Sequence, residues 1–322
     1  MTRVFASVAI VAIAAAAVTV RGIAQERQQQ TPIFRGAPVD QVPVWVTVTD
    51  RDGRLVTSLT RDDFEVRDEG KPQPIALFDN SPRPIRLIVM LDVSGSMLGN
   101  VPLLRGATEQ LIKRLTPEDA ARVGTFGHDI AISPTFTLDA AELRRELPTE
   151  ISENAPTPLW RALDTAIGGF AEVKEPRRVV LVLSDGGDSG MIDFKKGFIS
   201  QAEVIDRARR EDVMIYAVGM RPRRQIPAGG FSGANLQAML SADLPDPGLA
   251  RVAEETGGGY IELRANQDLA TEFARVADEL HAQYTLGFEP PRRDGKKHDI
   301  EVKIKKGGHK PRARKDYVAP KE

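Results

Sequence analysis

The chain has no cysteine. Disulfides, a lipidated cysteine anchor and a thiolate metal site are excluded together, and a fold made without disulfides has to rest on the size of its core. Net charge is nearly absent too: 44 Lys and Arg against 45 Asp and Glu leave a formal -1, which gives no general attraction to nucleic acid or to an acidic surface. Histidine is scarce. His128, His281, His298 and His309 share no metal-ligand spacing, and neither a G-x-S-x-G nor an H-E-x-x-H pattern occurs. What is present is ordinary globular composition, 41% hydrophobic and 28% charged over 322 residues, a length that suits about two domains.

The start of the chain reads as a segment to be removed. A short basic stretch, Met1 to Arg3, precedes a small and apolar run from Val4 to Val20, and Gly22-Ile23-Ala24 places small residues where a signal peptidase reads. Residues 1–24 are therefore expected to be a secretory signal peptide, followed by a polar, glutamine-rich linker over 25–41. The mature protein would be secreted or periplasmic, with no membrane span left after cleavage. An uncleaved anchor is the competing reading, since Val4 to Val20 is near the lower length limit for spanning.

Residues 42–83 read as β. Val44 to Thr49 is rich in β-branched residues, Asp50-Arg51-Asp52-Gly53 is a turn, and Leu59 to Phe64 is a short helical or turn segment. Phe64 to Arg67 and Ile75 to Phe78 alternate on either side of Asp68-Glu69-Gly70, which predicts a hairpin between them. From Pro84 strands alternate with helices: strands at 87–91, 179–183, 213–218 and 260–263, and helices at 101–115, 139–147, 158–173, 201–211, 247–256 and 268–281. Arg122 to Phe126 and Ile130 to Ile132 read as a hairpin that adds one antiparallel edge strand. This alternation predicts a doubly wound, mostly parallel α/β sheet over 84–282. Residues 221–245, with Pro222, Pro227, Gly229, Gly230, Gly233 and Pro245, read as a long loop. From 283 to 322 the pattern is β again, with Ile300, Val302 and Ile304 on one face. An isolated hairpin is marginal in water, so the two terminal β segments are expected to fold together as a small β-sandwich with the α/β domain inserted between them.

The chemistry falls where buried strands end. Leu87 to Leu91 is apolar throughout and stops at Asp92-Val93-Ser94-Gly95-Ser96, whose alternate oxygens can meet at one point, with Gly95 permitting a tight backbone. Hard oxygen ligands suit a small divalent cation such as magnesium, but one carboxylate and two hydroxyls do not complete its shell. Val179 to Leu183 ends in Ser184-Asp185, and Thr157 stands before a helical pattern between Pro156 and Pro158, which bias that loop toward extended backbone. In open α/β sheets ligands sit outside the carboxyl ends of the strands, so these three loops can converge on one ion. The alternative for Ser94 and Ser96 is helix capping, since a helical pattern starts at Val101.

A D-x-S-x-S loop after a buried strand, then T-x-L-x-x-A-L, then L-S-D-G, in that order, resembles the von Willebrand factor A family and its metal-ion-dependent adhesion site. The resemblance implies that Asp92, Ser94, Ser96, Thr157 and Asp185 are the metal-site positions, that the ion is Mg2+ or Mn2+, and that a protein partner's acidic side chain supplies the last ligand. The turn and L-T-x-x-D-F-x-V wording of 50–66 also resembles the segment that precedes the A domain in secreted bacterial proteins of this kind. The expected function is a non-enzymatic, metal-dependent protein-binding module. Two other classes stand beside it: a metal-dependent hydrolase, for which Asp188, Asp129 and His128 are the candidate bases, and a structural component of an envelope or surface assembly. The basic run from Arg292 to Lys315 reads as a solvated strand face rather than a nucleic-acid patch.

Overall fold

In the computed structural model the described residues are 41–174, 177–185, 187–189, 197–220, 247–263 and 268–321. The expected signal peptide, almost all of the 25–41 linker and the 221–245 loop lie outside them.

The centre is a six-stranded sheet. Its strands are β5 (Arg86–Asp92), β6 (Ala120–Phe126), β7 (Ile130–Ile132), β8 (Arg178–Ser184), β9 (Val213–Met220) and β10 (Tyr260–Leu263), in the order β10-β9-β8-β5-β6-β7. All pairings are parallel except that of β6 with β7, which is the expected antiparallel edge. Because side chains alternate along a strand, Leu87, Val89 and Leu91 face one apolar layer while Ile88 and Met90 face the other. The first layer is closed by α1 (Val101–Ile112), α2 (Ala140–Arg145) and α6 (Leu269–His281), the second by α3 (Leu159–Gly168), α4 (Gln201–Arg210) and α5 (Pro247–Thr256). Burial on both faces is why β5 and β8 read as unbroken apolar runs. The chain runs from β5 to β6 on one side and returns through β8 on the other, so the order reverses between β5 and β8.

Helix ends follow local chemistry. Asp139 caps α2 through Ala141 and Glu142 N–H, and Ser200 with Glu203 forms a capping box on α4. The first helix stops at Ile112 rather than Leu115, and Leu103, which shares its helical pattern, is exposed.

The terminal segments form two four-stranded antiparallel sheets. One has the order β13-β1-β11-β4 and the other β14-β12-β2-β3. Their strands are β1 (Val42–Thr49), β2 (Phe64–Asp68), β3 (Lys71–Gln73), β4 (Leu77–Asp79), β11 (Tyr284–Phe288), β12 (Lys297–Ile304), β13 (Lys310–Arg312) and β14 (Asp316–Val318). Val44, Val46, Phe64, Val66, Leu286, Phe288, Ile300 and Tyr317 come from both sheets and share one apolar cluster.

One expectation needs correcting. Phe64 to Asp68 pairs with Lys71–Gln73, not with Ile75 to Phe78, and Leu77–Asp79 joins the other sheet against β11. The turn decides this: Glu69 and Gly70 both have positive φ, 49° and 75°, so a two-residue hairpin closes at Asp68 and Lys71 and uses up the next three residues. The apolar alternation at 75–78 marks a strand correctly but does not name its partner.

Candidate metal centre

Parallel registry places the two key loops side by side. Leu91 pairs with Leu183, so the residues that follow, Asp92 and Ser184, end adjacent strands at the point where the strand order reverses. Asp92 is fully buried, and both its oxygens are engaged: Ser94 N–H donates to Oδ1 at 2.8 Å and the Ser184 hydroxyl to Oδ2 at 2.5 Å. Ser94 Oγ lies 3.0 Å from Ser96 Oγ, and the Ser96 hydroxyl reaches the Asp185 carboxylate. Asp92, Ser94, Ser96 and Asp185 therefore form one continuous polar cluster. The capping alternative for the serines fails, because Ser94 makes no side-chain cap bond to the 3-10 turn it precedes and α1 is entered through Asn100.

Thr157 enters the same cluster of loops, but through its backbone. Its N–H donates to Ser189 Oγ at 2.6 Å and its carbonyl accepts from Ser189 N–H at 2.9 Å, which ties the 155–158 loop to the one after β8. On the other side Gly95 N–H donates to the Ala155 carbonyl at 3.0 Å. The three loops are thus stitched together by main-chain bonds. Among the described contacts the Thr157 hydroxyl bonds to none of the other four candidates.

Gly95 is needed for a different reason from the one expected. Its φ is not positive, but a Cβ there would stand 2.0 Å from the Glu153 carbonyl oxygen, far inside van der Waals contact. The residue is glycine because another backbone passes against it. Ser184 is the site residue that sequence reading missed. Only the pairing of β5 with β8 reveals that its hydroxyl faces Asp92, although its place at the end of an apolar run just before Asp185 is the trace it leaves in the sequence.

The electrostatics are those of a cluster short of positive charge. Burial pushes the Asp92 carboxyl up to about 6, against the hydrogen bonds from Ser184 and Ser94, and the nearby Asp185 carboxylate adds to the rise. Asp185 is also raised, again mainly by burial, against bonds from the Ser96 hydroxyl and Gly187 N–H. Among the described residues no Lys, Arg or His pairs with either carboxylate, and Asp185 Oδ2 is buried without a hydrogen-bond partner. Two buried carboxylates, two hydroxyls in mutual contact and one orphaned oxygen are a donor set that suits a hard divalent cation. Among the described residues no group of three or more His, Asp or Glu side chains is placed to hold a metal ion, so a cation here would depend on the hydroxyls as well.

Two of the three candidate bases lie at the surface. His128 and Asp129 are exposed on the turn between β6 and β7, where His128 Nε2 lies 3.4 Å from Ser152 Oγ. Asp188 is half-buried in the loop after Asp185.

A model of the von Willebrand factor type A domain matches residues 87–245. No curated protein matches the chain. Among solved structures, a von Willebrand factor type A protein from Catenulispora acidiphila is 13% identical, with 89% of this chain and 76% of that one covered at a TM-score of 0.48. An aerotolerance-related membrane protein from Bacteroides fragilis is 14% identical over 61% of this chain and 98% of its own, with a TM-score of 0.43. The vWF domain of a type V pili tip protein from Porphyromonas gingivalis is 13% identical over 61% of this chain and 95% of its own, with a TM-score of 0.40. Among the described residues no helix is long and apolar enough to cross a membrane. Residues 87–245 thus match the von Willebrand factor type A domain, a kind of domain that generally mediates protein–protein interaction or adhesion.

Proposed function

We propose that the loops after β5 and β8 hold Mg2+ or Mn2+ and that the domain uses the ion to bind an acidic side chain of a protein partner, in an exported protein. The observation that carries the reading is the burial of Asp92 and Asp185 with no basic side chain paired to either among the described residues. A bound divalent ion would supply the missing positive charge and an open position for an anionic oxygen.

The chain's own residues are arranged for that task. Ser184 and Ser94 N–H fix the Asp92 carboxylate from both sides, as groups behind a metal ligand do when they orient it. Ser94 and Ser96 present a hydroxyl pair, Asp185 offers an Oδ2 that has no hydrogen-bond partner among the described residues, and the backbone ties of Gly95 and Thr157 hold the loops at fixed separation. Thr157 is the fifth proposed ligand. The reading is of binding, not catalysis, since the exposed His128 and Asp129 make no hydrogen bond to the hydroxyl pair.

Calorimetric titration with Mg2+ and Mn2+ tests it. Saturable one-site binding that disappears in Asp92→Ala supports the metal. Partner capture that persists in chelator would sink the carboxylate bridge. Export is tested separately, by N-terminal sequencing of the protein recovered outside the cytoplasm.

A further inference from the structure

At the opposite end of the sheet, where β8 and β9 begin, lies a cavity of about 20 Å³. It is lined by Arg177, Arg178, Arg209 and Asp212 from the α/β domain and by Trp45 and Arg314 from the β-sandwich. Four guanidiniums around so small a space demand an account of their counter-charges. Arg314 pairs with Asp212 at 2.7 Å, and Arg209 with Asp316 at 2.7 Å and with Glu255. Two of those carboxylates are shared, since Lys297 also reaches Asp316 at 3.1 Å and Lys315 reaches Glu255 at 4.0 Å, while Arg209 has a further partner in Asp206 at 3.4 Å.

Among the described residues Arg177 and Arg178 form no ion pair of this kind. Arg178 donates to the carbonyls of Glu211 and Val173, at 2.9 and 2.6 Å. Arg177, only 2% exposed, donates to the carbonyls of Leu280 and Arg83 and to Gln283 Oε1, and lies over the Trp45 ring at 5.2 Å. Each of these oxygens is neutral. The Nε atoms of Arg177, Arg178, Arg209 and Arg314 are all buried without a hydrogen-bond partner among the described residues. Burial brings the Arg177 guanidinium down to about 10, against the pull of Tyr216 and of the Asp119 carboxylate, which acts on it without a direct ion pair, and that is still far enough above neutrality for it to keep its charge. A buried charge without a counter-ion is costly, and proteins pair such charges or recruit an ion.

We propose that this cavity binds a small monatomic anion, chloride in ordinary solution, which gives Arg177 and Arg178 the direct ion pair that neither makes among the described residues. Size suits the class: a single water needs roughly 10–15 Å³ on the same measure, so a space of about 20 Å³ has room for one halide. The lining comes from both the α/β domain and the β-sandwich, so the anion ties the inserted domain to its base.

The test is thermal unfolding of the whole chain in sodium chloride against sodium gluconate at constant ionic strength, together with a bromide-soaked crystal. Chloride should raise the melting temperature saturably, by about 5 °C once it exceeds its dissociation constant roughly a hundredfold. Arg178→Gln should abolish the saturable part, and bromide should give an anomalous peak in the cavity. Equal melting curves in the two salts, or a water alone in the cavity of the bromide crystal, would overturn the proposal. If Arg178→Gln does not fold, the wild-type crystal decides by itself.

Discussion

The two ends of the central sheet bury carboxylates in opposite ways. At the carboxyl end, Asp92 is held up to about 6 and Asp185 is also raised. At the amino end, Asp119, just before β6, is equally buried but lies below its usual 3.8. Burial pushes Asp119 upward as well, yet His281 at 2.9 Å, Ile85 N–H at 2.9 Å and Thr116 N–H at 2.6 Å outweigh it. Asp92 also has donors, the Ser184 hydroxyl and both the N–H and the hydroxyl of Ser94, but it has a second carboxylate for a neighbour where Asp119 has an imidazole. The lesson is that burial alone does not mark a binding site. What distinguishes the carboxyl end is burial with no basic side chain paired to it among the described residues, a condition that structural carboxylates avoid.

The comparison breaks most sharply at Asp92. Asp92→Ala should remove Mg2+ binding altogether, a loss of more than a hundredfold in affinity by calorimetry, while the melting temperature in chelator stays close to wild type. A variant that still binds the ion with near-native affinity would place the metal elsewhere. Gly95→Ala comes next. The added Cβ must displace the 152–157 backbone, at a cost of about 1–3 kcal/mol for overpacking, so both stability and metal affinity should fall together. Retention of both would show that the loop yields without strain.

Ser184→Ala sharpens the contrast between holding an ion and orienting what holds it. The side chain supports Asp92 and is fully buried, so the variant should fold and still bind metal, with affinity reduced roughly 10–100-fold. An unchanged dissociation constant would reduce Ser184 to a packing residue.

How much of this was legible in the sequence depends on whether the relevant partner is local. The apolar runs of β5 and β8, the D-x-S-x-S loop and the position of Asp185 are all contiguous signals, and they point to the proposed site. Ser184 and Gly95 owe their roles to neighbours brought in by pairing: β8 against β5 for the one, the Glu153 carbonyl for the other. The same limit explains the misassigned hairpin, where alternation at 75–78 revealed a strand but the turn at Glu69-Gly70 chose its partner. Arg177 was invisible for another reason. Arginine is mostly exposed, and nothing local announces that Leu280 and Gln283, over a hundred residues away, will bury this one.

The smallest expected effect compares two like substitutions at the two ends. Asp185→Asn removes an unmet charge whose Oδ2 has no partner among the described residues, so in chelator it should stabilise the protein, by about 1 kcal/mol. Asp119→Asn removes charge from a carboxylate satisfied by three donors and should destabilise by about 2 kcal/mol. The pH dependence separates the second effect further. The folded carboxyl of Asp119 lies below its unfolded value, so its contribution is fully present above about pH 4 and is lost as pH falls through the folded value. Denaturant unfolding of wild type and Asp119→Asn should therefore give curves that differ at pH 6 and converge toward pH 2. A constant gap across that range would mean that Asp119 acts through packing alone, and the opposition between the two ends of the sheet would lose its electrostatic basis.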